Sequence, residues 1–250
     1  MPLGGLTVAL LSASVVLLAG STVGSARAAL TYYSENYGAQ VEVSKIGVSL
    51  EESNDKGKSY TKISKRNYIS NGKWDEATGD LLTGLKEEKI VPGKQYEEAI
   101  KVTNSGSIDS YVRVILKKSW TNKEGAKDTT LSPDLIDLNL KEGSGWVIDK
   151  NASTKERTIL YYTGILPAGK STPALSDTLT IDGSIATKVK QDVTEKDGYK
   201  TITTTYAYDG YNFQLEAEAD AVQTHNAQDA IKSAWGVNVD VDGNGNISLR

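Results

Sequence analysis

From about Gln40 onward the chain repeats one pattern. Short runs carry Val, Ile, Thr or Tyr at every second position, and each closes on Gly, Asn, Asp or Pro. A period of two presents one face of a strand to a core and the other to water, and it cannot settle as a helix. "YEEAIKVTNSG" and "SYVRVILKKSW" show it most cleanly, with the turn cluster "NSGSID" between them. "QVEVSKIGVSL", "GWVID", "RTILYYTGIL", "SDTLTIDGSIATKV", "YKTITTTYAY" and "YNFQLEAEADAVQ" continue it. The polar stretch "EESNDKGKSYTKISKRN" predicts a mobile loop or an edge hairpin. Two helices are expected. "SPDLIDLNL" has Ser132 at a cap position and Pro133 at the first helical position. "THNAQDAIKSAWG" has Thr224 or Asn226 as cap and Gly236 as stop, with Ala227, Ala230, Ile231 and Ala234 on one face. Many short strands and few helices predict an all-β, antiparallel β-sandwich with one or two short helices.

The first residues obey different rules. Leu6 to Gly20 is apolar except for Thr7, Ser12 and Ser14, and small residues then lead to Ala26-Arg27-Ala28. An apolar run of this length before a small-x-small site predicts a secretory leader cut between Ala28 and Ala29. A signal peptidase is therefore an expected partner, and the mature chain is expected outside the cell, off the membrane. No Lys or Arg precedes the apolar run, which points to a start upstream of Met1; an uncleaved anchor is the rival. The organisation expected is a signal peptide at 1–28 and one sandwich domain at 29–250. Losing Arg27 takes the net charge from −4 to −5. That mildly acidic balance excludes nucleic acid as the expected partner. Without cysteine, the exported chain has no disulfides and depends on its core.

Pro92-Gly93-Lys94, a strand ending Asn104-Ser105-Gly106, then Asp109 and Tyr111-Val112-Arg113-Val114 resemble the exported TasA/camelysin proteins of Gram-positive bacteria. The leader that runs straight into an aromatic segment is similar to theirs, which a dedicated signal peptidase processes. The likeness spans the leader to about residue 117, and 213–237 looks like the closing strand and helix of exported members from gut anaerobes. A weaker internal echo links 91–107 to 166–184, each a turn with Pro, Gly and Lys in that order feeding a strand. The resemblance implies a jelly-roll sandwich, export, and assembly into surface or biofilm-matrix fibres with copies of itself or a related matrix protein.

Some members of that family were catalogued as metallopeptidases, so the metal chemistry is tested residue by residue. A zincin needs two histidines one helical turn apart and a Glu base. The chain has one histidine, His225, in a polar stretch, and no cysteine. Neither a zinc site nor a Ser-His triad is expected, and no cofactor. Asp240, Asp242, Asn244 and Gly245 match the first half of a calcium loop, but its bidentate twelfth position would be residue 251. A hairpin turn between "VNVDV" and "NISL" is the expectation there. "LPAGK" at 166–170 reads as a turn rather than a sorting signal. The pairs Glu51-Glu52, Glu87-Glu88 and Glu97-Glu98 point to opposite faces, so they are expected at solvated edges rather than as a glycosidase acid and base. Trp74, Trp120, Trp146 and Trp235 are expected in core and rim packing rather than as a sugar platform.

"AALTYYSENYGAQVEV", 28–43, is aromatic, free of proline and β-prone. Leu30, Tyr32, Tyr33, Tyr37, Val41 and Val43 make it competent to add to a sheet edge once the leader is removed. The function expected is a non-enzymatic structural subunit of an extracellular fibre or surface layer, assembled by strand addition. The alternative is a monomeric surface module that binds a carbohydrate or host ligand through exposed aromatics.

Overall fold

The computed structural model describes residues 45–70, 72–85, 88–196 and 199–250. The expected intermolecular strand, with Leu30, Tyr32, Tyr33, Tyr37, Val41 and Val43, and the cleavage site at Ala28 and Ala29 lie outside the described residues, as does Glu87.

The described chain is all-β and sandwich-like, and its strands pair antiparallel throughout the described residues. One layer starts at β3 (Lys73–Thr78) and continues through β2 (Thr61–Ser70) and β1 (Gly47–Ser53) to β5 (Ala99–Asn104). β4 (Gln95–Glu97) precedes β5, with Glu98 as the break between them. β4 pairs β11 (Ser176–Ile181), which pairs β8 (Ile136–Leu140). The segment before β11 continues the layer along β5, where Thr172 and Leu175 donate to the Val102 and Ile100 carbonyls at 2.8 and 2.7 Å. The second layer orders β14 (Asn212–Gln223), β6 (Ser110–Thr121), β10 (Arg157–Tyr162) and β9 (Trp146–Ile148), with β7 (Lys127–Asp128) on the end of β6.

Parity builds the core. Val48 and Leu50 of β1, Ile100 and Val102 of β5, and Val112, Val114 and Leu116 of β6 share one buried cluster. The intervening residues face away from it, and Tyr111 packs in a second cluster on the outer face of the second layer. There Ile159, Tyr161 and Val222 are covered by Ile231 of α1 (Ala227–Trp235) and by Val239 and Ile247 of the hairpin β15–β16 (Val239–Val241, Ile247–Leu249). Asn226 takes the cap position of α1 in a left-handed conformation without a side-chain cap bond, and Gly236 ends the helix at φ +73°. Trp235, rather than the exposed Ala234, completes its buried face.

Three elements differ from expectation. "SPDLIDLNL" forms only a short 3-10 turn at Pro133–Leu135, where Ser132 accepts from the Asp134 N–H, and then strand β8. Ile136 and Leu138 alternate inward, and pairing with β11 satisfies a backbone that a helix would have turned away from it. The polar stretch at the end of β1 forms a hairpin, as one of its two expected readings has it, with a loop only as far as Tyr60 and β2 from Thr61, but β3 rather than this hairpin takes the edge. A further strand, β12 (Val189–Lys196), pairs with β13 (Tyr199–Tyr206) in a ribbon exposed along both strands.

Candidate functional site

The residues of the Pro-Gly-Lys turn and of the Asn-x-Gly motif hold the frame. Gly93 makes a positive-φ turn and donates to the Ile181 carbonyl at 2.7 Å. Asn104 is fully buried. Its Nδ2 donates to the carbonyls of Ile108 and Leu166 at 2.8 and 2.9 Å, and its Oδ1 accepts from Gly106 N–H at 2.9 Å. Gly106 has no room for a Cβ, which would overlap the Lys45 carbonyl and the Gly47 nitrogen. The turn therefore clasps the start of the described chain, and Ser107 and Lys45 exchange hydrogen bonds at 2.8 Å in both directions. Tyr111 donates to the Gly245 carbonyl at 2.7 Å, with burial pushing its hydroxyl pKa up, while Val112 lies in the main core.

A different region forms a site. The second layer ends at β14 among the described residues, whereas the first runs on through β2 and β3. The inner face of that overhang carries the cross-strand pairs Ser64–Thr78, Arg66–Glu76 and Tyr68–Trp74. Leu215, Ala217, Ala219 and Ala221 of β14 face the same space. The gap is a continuous groove, seen as three adjoining cavities of about 530, 350 and 330 Å³ along the edge of β14. Leu81 and Leu82 wall one end. The other end holds Trp74 and Trp235, with Asp220 bound by Arg113 at 2.8 Å and by Arg66 at 3.5 Å. Arg66 stacks on Trp74 and Arg113 on Trp235, at 5.0 and 5.2 Å. Trp and Arg held this way are the residue types on which interfaces concentrate binding energy.

The tryptophans thus divide. Trp120 and Trp146 are core residues whose ring nitrogens donate to Ser132 and Pro173 carbonyls at 3.0 Å. Trp74 and Trp235 flank the groove. A separate concavity of about 290 Å³ is lined by Tyr206, Tyr208, Tyr211 and Phe213 beside Pro92.

At the C-terminus the hairpin expected from "DVDGNGNISL" is present. Asp242 turns back on its own loop, accepting from the N–H groups of Asn244 and Asn246 at 2.8 Å, and Asp240 pairs with Arg250. These bonds hold both carboxyls below the usual carboxylate range. Among the described residues no three His, Cys, Asp or Glu side chains converge as metal ligands, and His225 is exposed. "LPAGK" is a turn closed by Lys170 N–H on the Pro167 carbonyl at 3.0 Å.

The acidic pairs overturn an expectation. Glu51 does face outward, to Lys101 at 3.3 Å, and Glu97 to Lys56 at 3.7 Å. Their neighbours Glu52 and Glu98 are buried beside each other rather than solvated. The signal was in the parity: Glu52 continues Val48 and Leu50, and Glu98 precedes Ile100 and Val102. Comparison with family models, with curated proteins and with solved structures finds no match.

Proposed function

We propose that the chain is an exported structural subunit that polymerises by strand addition, with the groove beside β14 as acceptor and the segment Ala29 to about Val43 of a neighbouring copy as donor. The observation that carries this is the shape of the gap. Among the described residues the second layer stops at β14 while the first runs on through β2 and β3, leaving an open sheet edge above an overhanging face. From Phe213 to Ala221 that edge offers about 30 Å for pairing. Strand addition supplies main-chain hydrogen bonds for affinity, and alternate side chains entering the groove set the register. Tyr32, Tyr33 and Tyr37 suit a groove ending in Trp74, Trp235 and two arginines, because Tyr contributes a ring for cation–π contact and a hydroxyl for hydrogen bonding. A contact between a donor segment and a different surface of the next copy does not close, so it makes a filament. The likeness to exported TasA/camelysin proteins supports the same reading, as does the leader, whose removal by a signal peptidase frees the donor. The role proposed is structural rather than catalytic, at the cell surface or in the extracellular matrix.

The test compares the mature chain with one that begins at Gln40. Filaments are expected from the first. The second is expected to stay folded and monomeric and to bind a synthetic peptide of residues 29–43. Filaments of unchanged mass per length from the shortened chain would refute donation by this segment. The tyrosine-lined concavity favours one alternative, a monomeric module that stacks a sugar ring there. A strict monomer that is retained on a glycan array, and loses retention in Tyr208→Ala, would establish it.

A further inference from the structure

Glu52 and Glu98 meet inside the protein, 2% and 0% exposed. Their surroundings are unequal. Glu52 is fully engaged, with Oε2 accepting from Leu82 N–H at 2.9 Å and Oε1 accepting from Thr83 N–H at 2.8 Å and from the Thr83 hydroxyl. Neither oxygen of Glu98 has a donor facing it among the described residues. Its neighbour is the carboxylate of Glu52, and two carboxylates are both acceptors. One proton resolves the conflict, because a protonated Glu98 becomes a donor to Glu52 and removes one of two buried like charges. The bonds from Glu52 also fall on a backbone that needs holding. Leu82 sits at φ +62°, a conformation uncommon for a bulky residue. Leu81 and Leu82 wall the groove beside β14.

We propose that Glu98 and Glu52 share one proton, and that this proton latches the Leu81–Thr83 turn in place, making the groove wall pH-gated. The latch itself stands on the buried pair and the strained turn; its consequence for assembly rests on the acceptor-groove function proposed above. The other charged groups on the packed elements point elsewhere. Glu51 of β1 pairs with Lys101 of β5, Glu97 of β4 with Lys56, and Asp177 of β11 with Lys141, while Asp80 before the turn is exposed. Burial first, then the charge and hydrogen bond of Glu52, push the Glu98 pKa from 4.5 up to about 8. The sign follows from that direction. The folded protein holds a proton that the unfolded chain has released, so the latch's contribution is complete below 4.5 and is lost as pH rises through about 8. Above that, a second buried negative charge repels Glu52, and Leu82 and Thr83 lose their acceptor.

Hydrogen exchange of the Leu82 and Thr83 amides in the full chain tests this, corrected for intrinsic base catalysis. Protection is expected to fall by up to about tenfold per pH unit between 4.5 and about 8 and to level off above that. In Glu98→Gln, whose amide donates to Glu52 at every pH, protection should be flat. In Glu52→Gln it should be low throughout. A flat wild-type profile would overturn the latch without any variant, and so would an unchanged pH profile in Glu98→Gln. Recovery of protection at alkaline pH by millimolar calcium alone would overturn the proton in favour of a shared cation. Filament mass measured across the same range separates the two proposals. A pH-gated turn with pH-independent filaments sinks the groove as acceptor and leaves the latch. Filaments that need residues 29–39 beside pH-insensitive amides sink the latch and leave the groove.

Discussion

At the scale of single residues, Asn104 and Glu98 have the same burial and opposite satisfaction. Asn104 spends its amide on three backbone partners from two separate segments, which is why a polar side chain can be fully buried at the end of β5. Replacing it by Ala removes the shorter bond from each of these three groups and leaves only a longer one: Ser110 N–H to the Leu166 carbonyl at 3.1 Å, the Ser110 hydroxyl to the Ile108 carbonyl at 3.3 Å, and Gly106 N–H to the Gly47 carbonyl at 3.2 Å. The expected cost is about 2–4 kcal/mol, taking each of the three lost hydrogen bonds as worth about 1 kcal/mol together with the space left by the amide. Urea unfolding of Asn104→Ala measures it, and a loss below about 1 kcal/mol would mean that water replaces the amide. Lys118 shows a third solution on the inward face of β6. It donates to the Ile136 carbonyl at 2.8 Å, and burial lowers its pKa. The Asn-x-Gly pattern was visible in the sequence, but its reason was not. Gly106 is required by the approach of residues 45–47, some sixty positions earlier in the chain, and no local rule predicts that neighbour.

At the scale of elements, β14 matters because only one of its edges is paired among the described residues. Its inward positions are small at Ala217, Ala219 and Ala221, where a closed sandwich would carry larger residues to fill the same space. Ala217 lines both of the larger groove cavities and is partly buried. An Ala217→Arg chain is expected to fold with a melting temperature within a few degrees of wild type, since the new side chain extends into the groove rather than into packed core. Filament formation should fall at least about tenfold, the effect of a misplaced side chain costing 1.4 kcal/mol or more at the contact. Sedimentation and electron microscopy read both outcomes, and unimpaired filaments would move the acceptor to another edge. Strands with clean alternation, such as β6 and β14, were legible in the sequence. β8 was not, because Ser132 and Pro133 open a helix in their first turn and only the pairing with β11 shows that the chain goes on extended.

At the scale of the whole molecule, the proposed function requires export before assembly. A donor segment attached to the leader cannot enter a neighbour's groove, so cleavage should precede polymerisation. Protein recovered from culture medium is expected to begin at Ala29, with Leu30 as the tolerable neighbouring start, by N-terminal sequencing. Protein found only in membranes with the leader intact would reverse the reading of residues 1–28. Filaments containing uncleaved chains would remove cleavage as the trigger.

Local chemistry alone determined a good deal of this protein. Period-two alternation, turn residues and the lack of cysteine specified strands, their turns and a core that works without disulfides, because those preferences act between neighbours in the chain. The C-terminal hairpin and the helix stop at Gly236 belong to the same class. What the tertiary structure decided is which strands lie side by side. Alternation states that Glu52 and Glu98 point inward, but only the pairing of Glu52 with Ile100 brings the two carboxyls together. Alternation likewise makes β14 a strand without saying that, among the described residues, it ends its layer opposite an overhang. Strand order is set by long-range packing, in which each burial gain must offset the entropy of closing a loop, and that balance belongs to the folded chain as a whole.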